Sequence, residues 1–188
     1  MISHNAQITI LVDNEAGAGL LAEHGFSLWL ETAGKRILFD AGQGSTLLEN
    51  ARILGIDPLA ADCVALSHGH YDHSGGLAVL LQQDHGFEVY LHPGAVNPRY
   101  SIRNHTAKPL QMPRAAMAAL DRYPQERVHW VQRPVMLAEN VGLTGPIARE
   151  TIFEDAGGPF YLDQAGVRPD PVDDDQGLWV RTRSEERR

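Results

Sequence analysis

Short apolar runs, each long enough for one strand, recur along the first half of the chain. Residues 7–12 are rich in β-branched side chains, and residues 26–39 contain two apolar runs on either side of a connection that includes Gly34. This arrangement predicts a strand followed by a β-hairpin. The apolar runs at residues 62–67 and 87–91 predict two further strands, the first of which we expect to be buried.

Leucines at helical spacing predict one helix before each of these two later strands. The first helix begins near Ser45, which we expect to be its N-cap, and ends at Gly55. The second helix follows the Gly75–Gly76 pair. An antiparallel hairpin followed by helix, strand, helix and strand indicates an α/β fold in which helices cover a mixed sheet.

Proline separates the two halves of the chain. Only Pro58 lies before residue 90, whereas the other ten of the eleven prolines follow it, so we expect the second half to be broken by turns and loops. A helix is predicted directly after Pro113, and strands are predicted at residues 127–131, 135–137 and 177–180. We expect a single domain over residues 1–188, with a loop and helix insertion at residues 93–126.

Composition and charge exclude several classes of protein. The 188 residues carry a formal net charge of −8, which disfavours nucleic-acid binding, because such binding needs a cationic surface. No apolar run approaches the ~20 residues that cross a bilayer, and the start of the chain lacks a basic signal-peptide head. The single cysteine, Cys63, excludes an internal disulfide and a cysteine-based zinc site. We therefore expect a cytoplasmic protein without nucleic-acid or membrane partners.

Four metal-ligand side chains stand close together between the strand at residues 62–67 and the second helix. They are His68, His70, Asp72 and His73. In extended backbone, residues two apart point to the same side, so the first two rings leave together, and Gly69 between them adds no side chain that would crowd a shared ion. Three imidazoles and a carboxylate within six residues predict a site for a divalent cation, with Zn²⁺, Mn²⁺ and Fe²⁺ as candidates.

This motif resembles the hallmark of the metallo-β-lactamase superfamily. Within it, the chain is most similar to the dihydropterin ribofuranosylaminobenzene phosphate synthase-like hydrolases, over about residues 6–182. The segments that carry the resemblance are residues 11–14, 37–42, 67–77, 144–147 and 173–176. The resemblance implies the αββα sandwich of that superfamily, of which we expect only the N-terminal portion plus part of the second sheet.

The resemblance also implies roles for individual residues. His68 and His70 would bind a first metal, and Asp72 and His73 a second, with zinc as the expected ion and up to two ions per chain. The metals would supply hydroxide at neutral pH, and Asp72 would hold it in line for attack. Asp40 would orient the ligands through hydrogen bonds; the alternative is a residue at the end of a strand that caps a turn.

Relatives of this kind need further metal ligands from later segments, and the chain offers no obvious ones. Its last histidine is His129, so we expect the chain to be the front part of a longer fold. His92, His105, His129 and Asp175 are conceivable local substitutes, although surface or structural roles explain them more simply.

The main prediction is a metal-dependent hydrolase. The alternative is a non-catalytic metal-binding remnant, or one that a partner completes through an exposed sheet edge, a second copy included.

A basic stretch interrupts this acidic chain. No acidic residue lies between Glu88 and Asp121, whereas four cations do: Arg99, Arg103, Lys108 and Arg114. The predicted insertion over the metal site contains Arg99, Arg103 and Lys108. We expect these residues to contact an anionic small-molecule substrate, since arginine binds phosphate through two parallel hydrogen bonds. A phosphorylated pterin-type substrate would fit the resemblance. The alternative is a surface loop whose charge balances the acidic body.

Overall fold

A six-stranded mixed sheet forms the centre of the protein. The computed structural model describes residues 6–32, 34–82, 85–151, 153–154 and 157–181. Within the sheet, the first three strands are antiparallel and the remaining strands run parallel to the third. The strand order is β1-β2-β3-β4-β5-β8, with bounds β1 Ala6–Val12, β2 Ser27–Thr32, β3 Lys35–Phe39, β4 Cys63–Ala65, β5 Glu88–Leu91 and β8 Val128–Trp130. The predicted strand, hairpin and parallel strands are confirmed.

Two smaller sheets come from the second half of the chain. One has the order β12-β10-β9, and the other has the order β11-β6-β7. Their strands are β6 Tyr100–Arg103, β7 Thr106–Pro109, β9 Val135–Ala138, β10 Val141–Pro146, β11 Phe160–Tyr161 and β12 Gln176–Val180. The strands predicted near residues 135–137 and 177–180 are therefore confirmed, whereas β6, β7, β10 and β11 were not predicted.

The helices cover one face of the central sheet, and the β12-β10-β9 sheet covers the other face. The helices are α1 Ser45–Leu54, α2 Tyr71–Ser74, α3 Leu77–Leu80 and α4 Arg114–Arg122. Because side chains alternate along a strand, Val64 of β4 packs among the helices, whereas its neighbours Cys63 and Ala65 pack toward Val141 and Leu143 of β10. A parallel sheet buried on both faces explains why β4 is uniformly apolar.

The helical predictions need two corrections. Gly44, not Ser45, is the N-cap of α1, and Ser45 is the first helical residue. The helix predicted after Gly75–Gly76 is only the single turn α3, and a further single turn, α2, lies before this glycine pair. Close packing explains the glycines, since a Cβ on Gly76 would lie 2.2 Å from the carbonyl oxygen of Ala41. Among the described residues, no helix is long and apolar enough to cross a membrane.

Residues 93–126 contain a hairpin that the prolines concealed. A short 3₁₀ turn at Pro93–Val96 leads into β6 and β7, and α4 follows. Asn104 and His105 form the turn with positive φ angles of 49° and 59°. A two-residue hairpin turn of this kind favours asparagine at its first position, so this part of the sequence did contain a usable indication.

Replacing Gly76 with alanine tests the tight contact between this glycine and the backbone of Ala41, just after β3. Because the added Cβ would overlap backbone, we expect Gly76→Ala to lower the free energy of unfolding by about 2 kcal/mol or more. Urea denaturation followed by circular dichroism measures this. The control is Gly17→Ala, because a Cβ at Gly17 has no atom within 4 Å. Equal unfolding free energies for the two variants would contradict the packing described.

Candidate metal centre

Three imidazole rings meet where β4 runs into α2. The ring centroids of His68 and His70 are 4.5 Å apart, and those of His68 and His73 are 4.2 Å apart. His70 is the N-cap of α2, and Asp72 and His73 lie within this single helical turn. The structure thus brings all four predicted ligands to the carboxyl edge of the parallel strands, where loops commonly carry functional residues.

Asp40 anchors this cluster from the end of β3. Its carboxylate is 1% exposed; Oδ1 accepts from the backbone N–H of Ser67 at 2.7 Å and Oδ2 from the Ser67 hydroxyl at 2.6 Å. The same Oδ2 lies 2.8 Å from Nδ1 of His73. The backbone of Asp40 has a φ of 60°, a conformation that aspartate tolerates better than most residues. Asp40 therefore both caps the turn at Ser67 and orients a histidine.

The hydrogen bonds select the ring nitrogens that face the centre. The Ser67 hydroxyl donates its single proton to Asp40, so it can only accept from Nδ1 of His68, which lies 2.9 Å away. Nδ1 of His73 likewise donates to Asp40. In the neutral rings, Nε2 of both histidines therefore carries the lone pair that a metal ion needs.

Burial and neighbouring charges shift the pKa values of the three histidines in different directions. Burial lowers the pKa of His68 well below its usual value, and the charges of His73 and His70 add to this effect. Burial and the charge of Arg99 also lower the pKa of His70. Burial opposes protonation of His73 as well, but the hydrogen bond and charge of Asp40 outweigh it and raise its pKa. His68 and His70 are therefore neutral near pH 7, which is the form that binds metal.

The imidazole and carboxylate groups of this cluster are suitable ligands for a divalent cation, but they do not form a complete set of ligands. Nε2 of His70 is buried and has no hydrogen-bond partner among the described residues, which is uncommon for a buried polar atom and would be remedied by a bound cation. Oδ2 of Asp72 lies 3.8 Å from Nε2 of His73 and 3.2 Å from Nε2 of His24. Within the ranges that the structure describes, no group of three or more His, Cys, Asp or Glu side chains is arranged to hold a metal ion.

The three cations predicted to contact substrate lie in two different environments. Arg103 and Lys108 line a cavity of about 570 Å³ together with the rings of Tyr71 and Phe160. Arg99 is instead 2% exposed, and its guanidinium pairs with buried carboxylates. The sequence could not separate the three, because their burial depends on segments far away along the chain.

The residues considered as substitute ligands lie mostly elsewhere. Nδ1 of His92 accepts from the N–H of Gly94, His105 lies in the β6–β7 turn, and His129 contacts Glu88 while stacking on Tyr90. Asp175 differs, because it lines a second cavity, of about 410 Å³, beside His68 and His70. Burial raises the pKa of Asp175, against the effect of the neighbouring Arg149.

Two residues at the site were missed by sequence reasoning. Arg149 lines the same cavity as His68, and its Nη2 lies 3.4 Å from Oδ2 of Asp175. His24 contacts Asp72, as described above, and lines the cavity of Arg103 and Lys108. Neither stands in a local motif, so only the fold could reveal them.

A family model described as the metallo-beta-lactamase superfamily matches residues 21–176. The chain belongs to this superfamily. The predicted family and the α/β fold class are therefore confirmed. Among solved structures, the chain is similar to Tm1679, described as a metal-dependent hydrolase of the beta-lactamase superfamily, with a TM-score of 0.74 and 31% identity. That match covers 94% of this chain and 62% of Tm1679.

Two curated relatives in this superfamily come from Methanocaldococcus jannaschii. The uncharacterized protein MJ0448 is 33% identical over 174 residues, covering 91% of this chain. The 7,8-dihydropterin-6-methyl-4-(beta-D-ribofuranosyl)-aminobenzene-5'-phosphate synthase is 27% identical over 198 residues, covering 95% of this chain. In each case the match spans 64% of the relative's length.

Removing the Asp40 carboxylate of this metallo-β-lactamase site tests whether it anchors the histidine cluster. Asp40→Ala leaves the Ser67 N–H and the His73 ring without their acceptor, so we expect the free energy of unfolding to fall by about 3 kcal/mol. Urea denaturation monitored by fluorescence measures the change. The control is Asp121→Ala on the exposed surface of α4, for which little change is expected. A similarly small effect at Asp40 would refute the anchoring role.

Proposed function

We propose that this chain acts as a metal-dependent hydrolase whose divalent cation, zinc in the first instance, is held by His68, His70, Asp72 and His73. The observation that carries the proposal is Nε2 of His70, which is buried within the cluster of three rings and has no hydrogen-bond partner in the described part of the chain. Superfamily membership and the similarity to a metal-dependent hydrolase support it.

Each residue has a distinct task in this proposal. A bound metal ion would polarise a substrate oxygen and would lower the pKa of a bound water to about 7. Asp40 holds the His73 ring through Nδ1, and Ser67 holds the His68 ring in the same way. Asp72, with Oδ2 between His24 and His73, orients the attacking water and accepts its proton. No side-chain nucleophile is required, and Cys63 is unsuited to that role because burial raises its thiol pKa to about 12.

We further propose an anionic small-molecule substrate, such as a phosphorylated one. Support comes from the cavity of Arg103 and Lys108, which also borders Tyr71, the residue between the ligands His70 and Asp72. Cations and aromatic rings in one cavity suit a phosphate attached to a planar group, and Nζ of Lys108 lies 5.4 Å from the centroid of the Tyr71 ring. The 27% identical relative, the 7,8-dihydropterin-6-methyl-4-(beta-D-ribofuranosyl)-aminobenzene-5'-phosphate synthase, has a name that includes both a phosphate and planar rings, which supports this substrate class.

A second candidate function is a metal-binding protein that needs a partner to complete its site. The absence of a group of three convergent ligands among the described residues favours it, since a catalytic zinc commonly takes three protein ligands. A second copy of the chain could supply the missing ligands through an edge of the central sheet, where β1 and β8 are the outermost described strands.

Metal content and activity of His68→Ala distinguish these possibilities. We expect the wild-type chain to retain zinc after dialysis and to hydrolyse bis-p-nitrophenyl phosphate or p-nitrophenyl acetate. Loss of a ligand should lower zinc retention and reduce kcat by about 100-fold or more, because catalysis requires the metal. Elemental analysis and absorbance assays measure both. The control is His105→Ala in the hairpin turn. Zinc retention without turnover would favour the second candidate, and unchanged zinc content in His68→Ala would contradict both.

The substrate class is tested by removing single cations from the cavity. Lys108→Ala and Arg103→Ala should each raise KM for a phosphorylated ester by about 10-fold, with a smaller effect on kcat, because each lost cation weakens a charge-assisted hydrogen bond. A neutral ester should show no such change. The matched control is Arg114→Ala, an exposed cation from the same basic stretch that does not line the cavity. Equal KM values for all three variants would exclude the anion-binding role.

A further inference from the structure

A buried ion pair lies behind the metal-ligand segment and is not used by the proposed chemistry. Nη2 of Arg99 donates to Oδ1 of Asp174 at 2.6 Å and to the carbonyl oxygen of Gly94 at 3.2 Å. Nε of Arg99 lies 3.5 Å from Oδ2 of Asp170. The side chains of Arg99 and Asp174 are 2% and 0% exposed. Burying such a pair carries a large desolvation cost, so a buried pair is a weak explanation of stability by itself.

The second oxygen of Asp174 reaches the backbone between the histidines. Oδ2 accepts from the N–H of Gly69 at 2.8 Å, a buried hydrogen bond between residues 105 positions apart. One carboxylate therefore joins the guanidinium of Arg99 to the peptide that separates His68 from His70. The shape of that peptide determines how far apart the two rings lie.

Further contacts extend this attachment along the chain. The backbone N–H of Gln176 donates to the carbonyl oxygen of Ser67 at 3.0 Å, and its side-chain amide donates to that of Leu66 at 2.8 Å. Residues 174–176 thus bind residues 66–69 at three points. These residues belong to the Asp-Asp-Asp-Gln segment at 173–176, which is one of the segments that carry the family resemblance.

The backbone of the 3₁₀ turn at Pro93–Val96 also packs against this peptide. A Cβ on Gly69 would lie 2.0 Å from the carbonyl oxygen of Ala95, so the 3₁₀ turn at Pro93–Val96 presses directly on the loop. Arg99 also holds this turn through the carbonyl of Gly94. The loop is therefore confined between a turn and a carboxylate, and Arg99 contacts both.

We propose that Asp174 and Arg99 are positioning residues of the metal centre: Asp174 fixes the peptide between His68 and His70, and Arg99 fixes the Asp174 carboxylate. This inference rests on the proposed function, because it assigns the pair a task in holding the metal ligands at their working distance. It also replaces the expectation that Arg99 contacts substrate.

Asp174→Asn tests the proposal with the smallest change of shape. An asparagine keeps one acceptor oxygen but turns an amide group toward either Gly69 or Arg99, so one of the two donors loses its partner. We expect zinc affinity, measured by competition with a chromophoric chelator, to fall about 10- to 100-fold, as is usual when groups that orient metal ligands are lost. The matched control is Asp173→Asn, the same substitution at the exposed neighbouring residue, which should bind zinc as the wild type does.

A second readout needs no metal. Hydrogen exchange of the Gly69 amide, followed by NMR in the zinc-free protein, should be slow in the wild type and in Asp173→Asn and at least 10-fold faster in Asp174→Asn. Rapid exchange in the wild type would overturn the proposed attachment. A folded Asp174→Asn that binds zinc as tightly as the wild type would overturn the positioning role.

Arg99→Lys tests the positioning role if Asp174→Asn does not fold. Lysine keeps the charge but cannot hold the carboxylate and the Gly94 carbonyl through a planar group, so zinc affinity should fall by about 10-fold; an unchanged affinity would overturn the role of Arg99. A wild-type chain that binds no zinc refutes the proposed function and the positioning role with it. The exchange rate of the Gly69 amide then still shows whether Asp174 holds this peptide.

Discussion

One buried carboxylate, that of Asp40, determines how the metal-ligand segment leaves the sheet. It accepts from the backbone of Ser67, from the Ser67 hydroxyl and from the ring of His73. A carboxylate with 1% exposure is tolerated only when its oxygens are well bonded. The bonds that satisfy it also orient two histidine rings, so burial of the charge and alignment of the rings have a single cause.

The segment between β4 and α2 is held by carboxylates at alternate peptides. Asp40 accepts from the amide of Ser67, and Asp174 accepts from the amide of Gly69. His68 lies between these two anchored peptides, and Nε2 of the nearby His70 has no partner within the ranges that the structure describes. Rigid support of this kind is what a metal site needs, because ligands placed in advance lose little freedom on binding. Among the described residues, the cluster is therefore a pre-organised but partial set of ligand side chains.

The parts of this protein that could be predicted are those determined by neighbours in the sequence. The residues proposed as ligands, His68, His70, Asp72 and His73, stand within six residues, and the strands around them show the alternation or apolar runs that a covered sheet requires. The single turn α2 was not predicted, because the leucines stand only after the glycine pair and their spacing does not reveal that Gly76 packs against Ala41. The β6–β7 hairpin was missed because prolines were given more weight than its Asn104–His105 turn.

Features that depend on distant contacts could not be found in this way. Arg99 and Asp174 are 75 positions apart, and Gly69 and Asp174 are 105 apart. Arg99 therefore looked like any other cation of a basic stretch, although the fold buries it while leaving Arg103 and Lys108 beside a cavity. Arg149 and His24 had no local pattern at all, and only the folded chain brings them to the histidines.

X-ray diffraction from zinc-soaked crystals, recorded on both sides of the zinc absorption edge, tests the central claim most directly. The account predicts an anomalous peak at the carboxyl edge of the parallel strands, about 2.1 Å from Nε2 of His68 and of His70, the usual zinc–imidazole distance. A map without a peak at this cluster, or with zinc only on exposed histidines such as His105, would contradict it.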